Sequence, residues 1–170
     1  MLDKPLPIVK ATIVGSNQDI NPTTATPVVW STIRQKDPDD TKKSAANSSV
    51  DASKIEVYRT GLTKVYVSIG FSSSSARVNP RVRIRKNGTD YCVGHGLGGY
   101  VRAASGHNEG STSIMTQDFY ERGDYFEVMV DRAGAAGTCT PIDSASILLV
   151  DSTRCRTYLV RTTHVAQVIY

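Results

Sequence analysis

The stretch "RVRIRKNG" (81–88) decides the expected fold of this chain. Its two apolar residues, Val82 and Ile84, alternate with basic ones, which is the period of two found in an antiparallel strand with one buried face. The Asn-Gly pair that ends the stretch is a strong hairpin signal, because both central residues of a type I′ turn need positive φ. We therefore predict a hairpin strand with three outward-facing arginines, Arg81, Arg83 and Arg85.

The rest of the chain repeats this pattern and has almost no helical periodicity. Short alternating runs such as "SKIEVYRTG" (53–61) and "TKVYVSIGFS" (63–72) are separated by Gly, Ser, Asn, Asp and Pro. A pair of strands is expected in 112–133, on either side of the turn "ERGD", and a last core strand in 143–152. Such spacing is typical of an all-β sandwich or barrel.

The two ends of the chain look different from this core. Residues 1–25 contain polar turns such as "GSNQDINPTT", which suggests an extended arm. The last fifteen residues are β-prone but have no obvious partner strand, so they would offer a free edge to another chain or pair with the N-terminal arm. The expected organisation is an arm at 1–25, a sandwich at 26–152 and a β-prone arm at 153–170.

The composition of the chain bears on nucleic-acid binding, membrane insertion, secretion and disulfide formation. The formal net charge of +4 is a mild basic excess, and no aromatic residue is interleaved with the arginines, so we do not expect direct nucleic-acid binding. No apolar run approaches the roughly 20 residues that span a membrane, and the N-terminus lacks the apolar run of a secretory signal. Three cysteines, Cys92, Cys139 and Cys155, are an odd number without CxxC spacing, so buried or free thiols are expected and not a disulfide framework.

No arrangement of residues indicates an enzyme, a metal or a cofactor. The histidines, His95, His107 and His164, occur singly, and the glycine-rich "GHGLGGY" (94–100) lacks the Lys-Ser/Thr of a phosphate-binding loop. An enzyme that cleaves polysaccharides would need paired carboxylates, and three acids lie close together in sequence around "ERGD", namely Asp118, Glu121 and Asp124. These acids flank a turn, and we interpret them as solvated.

The order of the pieces resembles a known family. Gly61 followed by "YVSIGF" (66–71), the "RIRKNG" hairpin (83–88) and Gly123-Asp124 followed by "YFEVMV" (125–130) are similar to elements of the complement globular head and tumour-necrosis-factor-like domains. The closing strand matches imperfectly, since Ala145-Ser146-Ile147 replaces the usual aromatic and glycine. The resemblance covers about residues 26–150 and implies an antiparallel jelly-roll sandwich that assembles as a homotrimer.

Similar jelly rolls occur on tailed bacteriophages, where they act as head-decoration (cement) proteins or as fibre knobs. The resemblance therefore implies a non-enzymatic virion protein, made in the host cytoplasm, that sits on the capsid exterior and binds the major capsid protein. The alternative is a fibre or knob module that binds a host-surface receptor or glycan through the loop containing His95, Tyr100 and His107.

Family geometry also suggests which residues lie near the trimer axis. Three residues are expected near the trimer axis: Tyr66, Phe119 and Leu148. Contacts with the capsid are assigned to the arginine strand and to the C-terminal arm, namely Arg81, Arg83, Arg85, Tyr158, Val160, Val168 and Tyr170.

Overall fold

The computed structural model describes residues 8–36, 53–57, 60–73, 77–90, 96–102, 106–143 and 147–154. All regular structure in these ranges is β, as the sequence predicts, and every strand pairing is antiparallel. The strands are β1 (Ile8–Thr12), β2 (Thr26–Pro27), β3 (Thr32–Lys36), β4 (Lys54–Glu56), β5 (Gly61–Ser72), β6 (Val78–Lys86), β7 (Thr89–Asp90), β8 (Gly96–Leu97), β9 (Glu109–Tyr120), β10 (Tyr125–Ala136), β11 (Thr140–Pro141) and β12 (Ile147–Arg154).

The strands form two sheets. Sheet A has the order β3-β1-β12-β5-β9, with β11 pairing at the end of β5. Sheet B is built on the β10-β6 pair, with β2 and β4 against β10 and with β7 and β8 against β6. Alternate residues of both sheets point into one shared core, which includes Val67, Phe71, Val82 and Phe126, all fully buried. Two antiparallel sheets that enclose one core make an all-β sandwich.

The "RVRIRKNG" stretch forms the predicted hairpin. Val82 and Ile84 are buried, and the chain turns at Asn87 and Gly88, whose φ angles are 49° and 76°. Positive φ at both positions is what a type I′ turn requires, and it explains why glycine follows asparagine here. The turn is also fixed from outside, because the Asn87 carboxamide accepts a hydrogen bond from the Tyr125 amide at 2.9 Å.

The structure moves the start of the sandwich from residue 26 back to Ile8. β1 lies inside sheet A between β12 and β3, and Ala11, Ile13 and Ile20 are fully buried. The polar turn after β1 is attached to the core as well, because the buried Asn21 side chain donates to the carbonyls of Ala135 and Gly137 at 2.8 and 2.6 Å. Residues 8–25 are therefore part of the sandwich, whereas residues 1–7 and 155–170 lie outside the described residues.

One glycine marks a close approach between two segments. A Cβ added at Gly98 would lie 2.9 Å from the Pro80 carbonyl oxygen, a backbone atom that cannot rotate away. We expect Gly98→Ala to lower the free energy of unfolding by about 1–3 kcal/mol through overpacking. Gly134→Ala is the matched control, since a Cβ there meets nothing within 4 Å. Denaturant titration checks both; equal effects of the two substitutions would contradict the close approach.

Candidate functional site

The outer face of sheet A carries exposed apolar side chains on two neighbouring strands. β5 and β9 are in register so that Tyr66 lies opposite Met115 and Leu62 lies opposite Phe119. The exposed fractions are 38% for Tyr66, 72% for Met115 and 45% for Phe119, which is high for large apolar residues on strands that also line the core. We call these four residues the outer apolar patch. Its position on the outer face of two paired strands suits contact with another protein surface.

The structure thus brings together two of the three residues predicted for a trimer contact. Leu148 holds a different position, because its register partners are Val67 and Ala11, both buried, while Tyr66 lies opposite Leu149. The assignment of Leu148 to the trimer axis stays a prediction. Met115 was missed in the sequence, although it has the same strand parity as Phe119, four residues away, and that spacing could have identified it.

The arginine strand has a more specific environment than a solvated face. Arg81 donates two hydrogen bonds to Asp131, at 2.8 Å from Nε and 2.6 Å from Nη2, and Arg83 Nη2 donates to the same carboxylate at 2.9 Å. The Asp131 side chain is 8% exposed, and Met129, which lies opposite Arg83, is 2% exposed. The face is therefore half-buried, and Arg81 and Arg83 share one carboxylate within the chain. Arg85 lies opposite Glu127 in the same register.

These pairings restrict what the arginines can offer a partner. Part of each guanidinium group of Arg81 and Arg83 is already bound to Asp131. A capsid protein that contacts these arginines would therefore have to share them with Asp131. Their assignment as capsid contacts stays a prediction. The four C-terminal residues given the same role, Tyr158, Val160, Val168 and Tyr170, lie outside the described residues.

The acids around the "ERGD" turn have structural partners. Lys86 Nζ lies 3.3 Å from Asp118 Oδ2 and 3.5 Å from Asp124 Oδ2, so a single ammonium group separates the two carboxylates. Asp124 also accepts hydrogen bonds from the Asn87 carboxamide at 2.8 Å and from the Glu121 amide at 2.9 Å. These contacts, first that from Asn87, lower the pKa of Asp124 below 3.8. The cluster ties the two hairpin turns together.

This lowered pKa predicts a pH effect on stability. A carboxyl group whose pKa is lower in the folded state contributes stability above its unfolded-state pKa, and the contribution is lost as the pH falls through the folded-state value. We expect Asp124→Asn to lower the thermal midpoint at neutral pH, and we expect its difference from the unmodified protein to shrink once the pH drops below 3.8. Calorimetry across acidic pH measures this; a constant difference at all pH values would exclude an ionised Asp124 as the cause.

The loop assigned to recognition is described only in part. Tyr100 is 47% exposed and His107 is also exposed, whereas His95 lies outside the described residues.

Cys139 is buried and free, and burial raises its thiol pKa to about 12, so this thiol stays protonated near neutral pH. In the part of the chain that the structure describes, no group of three His, Cys, Asp or Glu residues could hold a metal ion.

No helix within the described ranges has the length and apolar content needed to cross a bilayer.

Comparison with known proteins identifies the fold. No protein-family model and no curated protein sequence matches the chain. Solved structures do match: mouse APRIL at pH 5.0 aligns with a TM-score of 0.59 at 12% identity, over 88% of this chain and 100% of that chain. The pH 8.5 structure of mouse APRIL gives a TM-score of 0.57 at 13% identity with the same coverage. The chain therefore has a tumour-necrosis-factor-like jelly-roll fold.

Proposed function

We propose that this chain is a non-enzymatic structural protein of a bacteriophage particle, a homotrimer that decorates and stabilises the capsid. The observation that carries the proposal is the outer apolar patch. Tyr66, Met115 and Phe119 leave a strand face of sheet A partly exposed to water, and packing three copies about an axis along the strands would cover it. Closed symmetric association of this kind buries an exposed apolar face in an interface, and it requires no catalytic site.

Charge supports docking onto a larger acidic assembly. Each copy carries a formal net charge of +4, so a trimer carries three times that value, which would favour approach to the acidic exterior of a major capsid protein. Three identical contacts on one trimer would also reinforce one another, since the second and third form at high effective concentration. The proposed partners are therefore two further copies of the chain and the capsid protein, without a cofactor, nucleic acid or membrane.

Removing the terminal segments tests the capsid role. β1 enters sheet A at Ile8 and β12 leaves it at Arg154, so deletion of residues 1–7 and 155–170 leaves every described strand intact. We expect the truncated protein to remain a folded trimer that no longer sediments with capsids of the phage that encodes it, whereas the full chain does. Normal capsid binding by the truncated trimer would rule out the terminal segments as the anchors.

The second candidate is a fibre or knob module that binds a host-surface receptor or glycan. It is favoured by the exposure of Tyr100 and His107 at one end of the sandwich. Immunogold electron microscopy of phage particles separates the two functions. Label over the whole shell is expected for a decoration protein, and label only at fibre ends would replace the first proposal by the second.

A further inference from the structure

One exposed tyrosine holds two arginines beside it. The guanidinium carbons of Arg77 and Arg102 each lie 5.8 Å from the centre of the Tyr100 ring, within the range of a cation–π contact. Tyr100 is 47% exposed, and both arginines are exposed as well. We call these three residues the cationic platform. Because both cations lie within 5.8 Å of the same ring centre, they can be at most twice that distance apart.

These two arginines differ from the basic residues of β6. Arg81 and Arg83 pair with Asp131, and Lys86 lies near two carboxylates. By contrast, neither Arg77 nor Arg102 forms an ion pair with any carboxylate in the described ranges. Two like charges beside one ring create a positive potential that attracts an anionic group.

The backbone below the platform is well anchored. Val78 and Val101 exchange both of their backbone hydrogen bonds at 3.1 Å, and both side chains are buried. Arg77 precedes Val78, while Tyr100 and Arg102 lie on either side of Val101, so this bridge sets the spacing of all three platform residues. The Arg77 carbonyl also accepts a hydrogen bond from the Gly137 amide at 3.0 Å, and the Arg102 amide donates to the His107 carbonyl at 3.2 Å. Such anchoring lowers the entropy cost of binding a ligand.

The platform lies at the opposite end of the sandwich from Ile8 and Arg154, the first and last residues that the structure describes. Arg154 pairs with Gly61 at the start of β5, and Ile8 pairs with Asp151, which in turn faces Lys64. The platform instead lies near the end of β5 and the start of β6 at Val78. The 12 residues of β5 separate the two ends by about 37 Å. Under the proposed function, terminal segments that hold the capsid would leave the platform facing outward.

We propose that the cationic platform binds saccharides that carry a carboxylate. A guanidinium group recognises a carboxylate through two parallel hydrogen bonds, and the part of the Tyr100 side chain that the arginines leave exposed offers apolar surface to the C–H groups of a sugar. Single-stranded nucleic acid fits less well, because it requires successive aromatic residues along a basic groove and the platform has one ring. Three platforms per trimer would turn a weak single contact into measurable avidity.

The test uses the full-length protein and immobilised polymers that carry sialyllactose, glucuronic acid or lactose, with binding followed by interferometry. We expect binding to both acidic polymers and none to lactose. Arg77→Gln and Arg102→Gln should each weaken binding at least tenfold, and Tyr100→Ala should do the same, whereas Tyr100→Phe keeps the ring and should retain binding. Arg122→Gln is the matched control, because Arg122 is an exposed arginine at the other end of the sandwich.

Several outcomes would overturn the inference: equal binding of lactose, equal weakening by Arg122→Gln, stronger binding of single-stranded DNA than of the acidic polymers, or no binding at all. Failure of the capsid role is a separate result. It would appear as a full chain that does not sediment with capsids, whatever the platform binds. Arg77→Gln is expected to sediment with capsids as the unmodified protein does, which keeps the two measurements independent.

Discussion

Replacing Met115 and Phe119 together by aspartate is expected to convert the protein from a trimer into a monomer. The outer apolar patch would then place six carboxylates in the proposed interface of three copies, and burying unpaired charges costs more than apolar contacts can offset. Light scattering should show the mass fall from three times 18.4 kDa to 18.4 kDa. Because both side chains are exposed in the single chain, each monomer should keep its β circular dichroism.

Val29→Asp is the matched control for this experiment. Val29 is 46% exposed, nearly the same as Phe119, but it follows β2 of sheet B and does not belong to the outer apolar patch. The control is therefore expected to remain trimeric. A monomeric unmodified protein, or a trimer that survives both aspartates, would show that this face of sheet A is not the interface.

Removing the carboxylate between the two arginines should have the largest effect on stability. Asp131→Ala removes the carboxylate that Arg81 and Arg83 both bind on a half-buried face. Breaking a buried pair from one side costs about 3–5 kcal/mol, and we expect the lower end because the Arg81 side chain is 32% exposed. For a chain of this length that corresponds to a fall of roughly 6–12 °C in thermal midpoint.

Asp118→Ala provides the comparison. Its carboxylate lies 3.3 Å from Lys86 but is 22% exposed, so the loss should stay below about 1 kcal/mol. Thermal unfolding of both variants measures the difference. Equal losses would mean that Asp131 contributes no more than an ordinary surface ion pair does.

Local patterns in the sequence predicted local structure well. The hairpin at 81–88 depends only on alternation and on the Asn-Gly turn, and both signals lie within eight residues. The environment of the arginines depends on Asp131, which is 50 residues from Arg81 in the sequence. The two residues are brought together only by the register between β6 and β10. A register of that kind cannot be read from either strand alone, because a shift by one residue exchanges the two faces.

The same limit explains the misplaced N-terminal boundary. The polar turn after β1 has the composition of a surface arm, but Asp19 accepts a hydrogen bond from the Cys139 amide, 120 residues away. Nothing local indicates that partner. Only part of the cationic platform could be predicted from the sequence. Tyr100 lies in a glycine-rich loop that was assigned to recognition, whereas Arg77 lies beside it only because Val78 bridges to Val101.

The position of β1 between β12 and β3 has a consequence for biosynthesis. Ile8 leaves the ribosome 143 residues before its neighbour Asp151. Until that late segment emerges, the middle of one sheet is missing and both flanking edges stay open to unwanted pairing. Closure of sheet A must therefore wait until β12 has been translated, and products that terminate before β12 should be targets for chaperones and proteases.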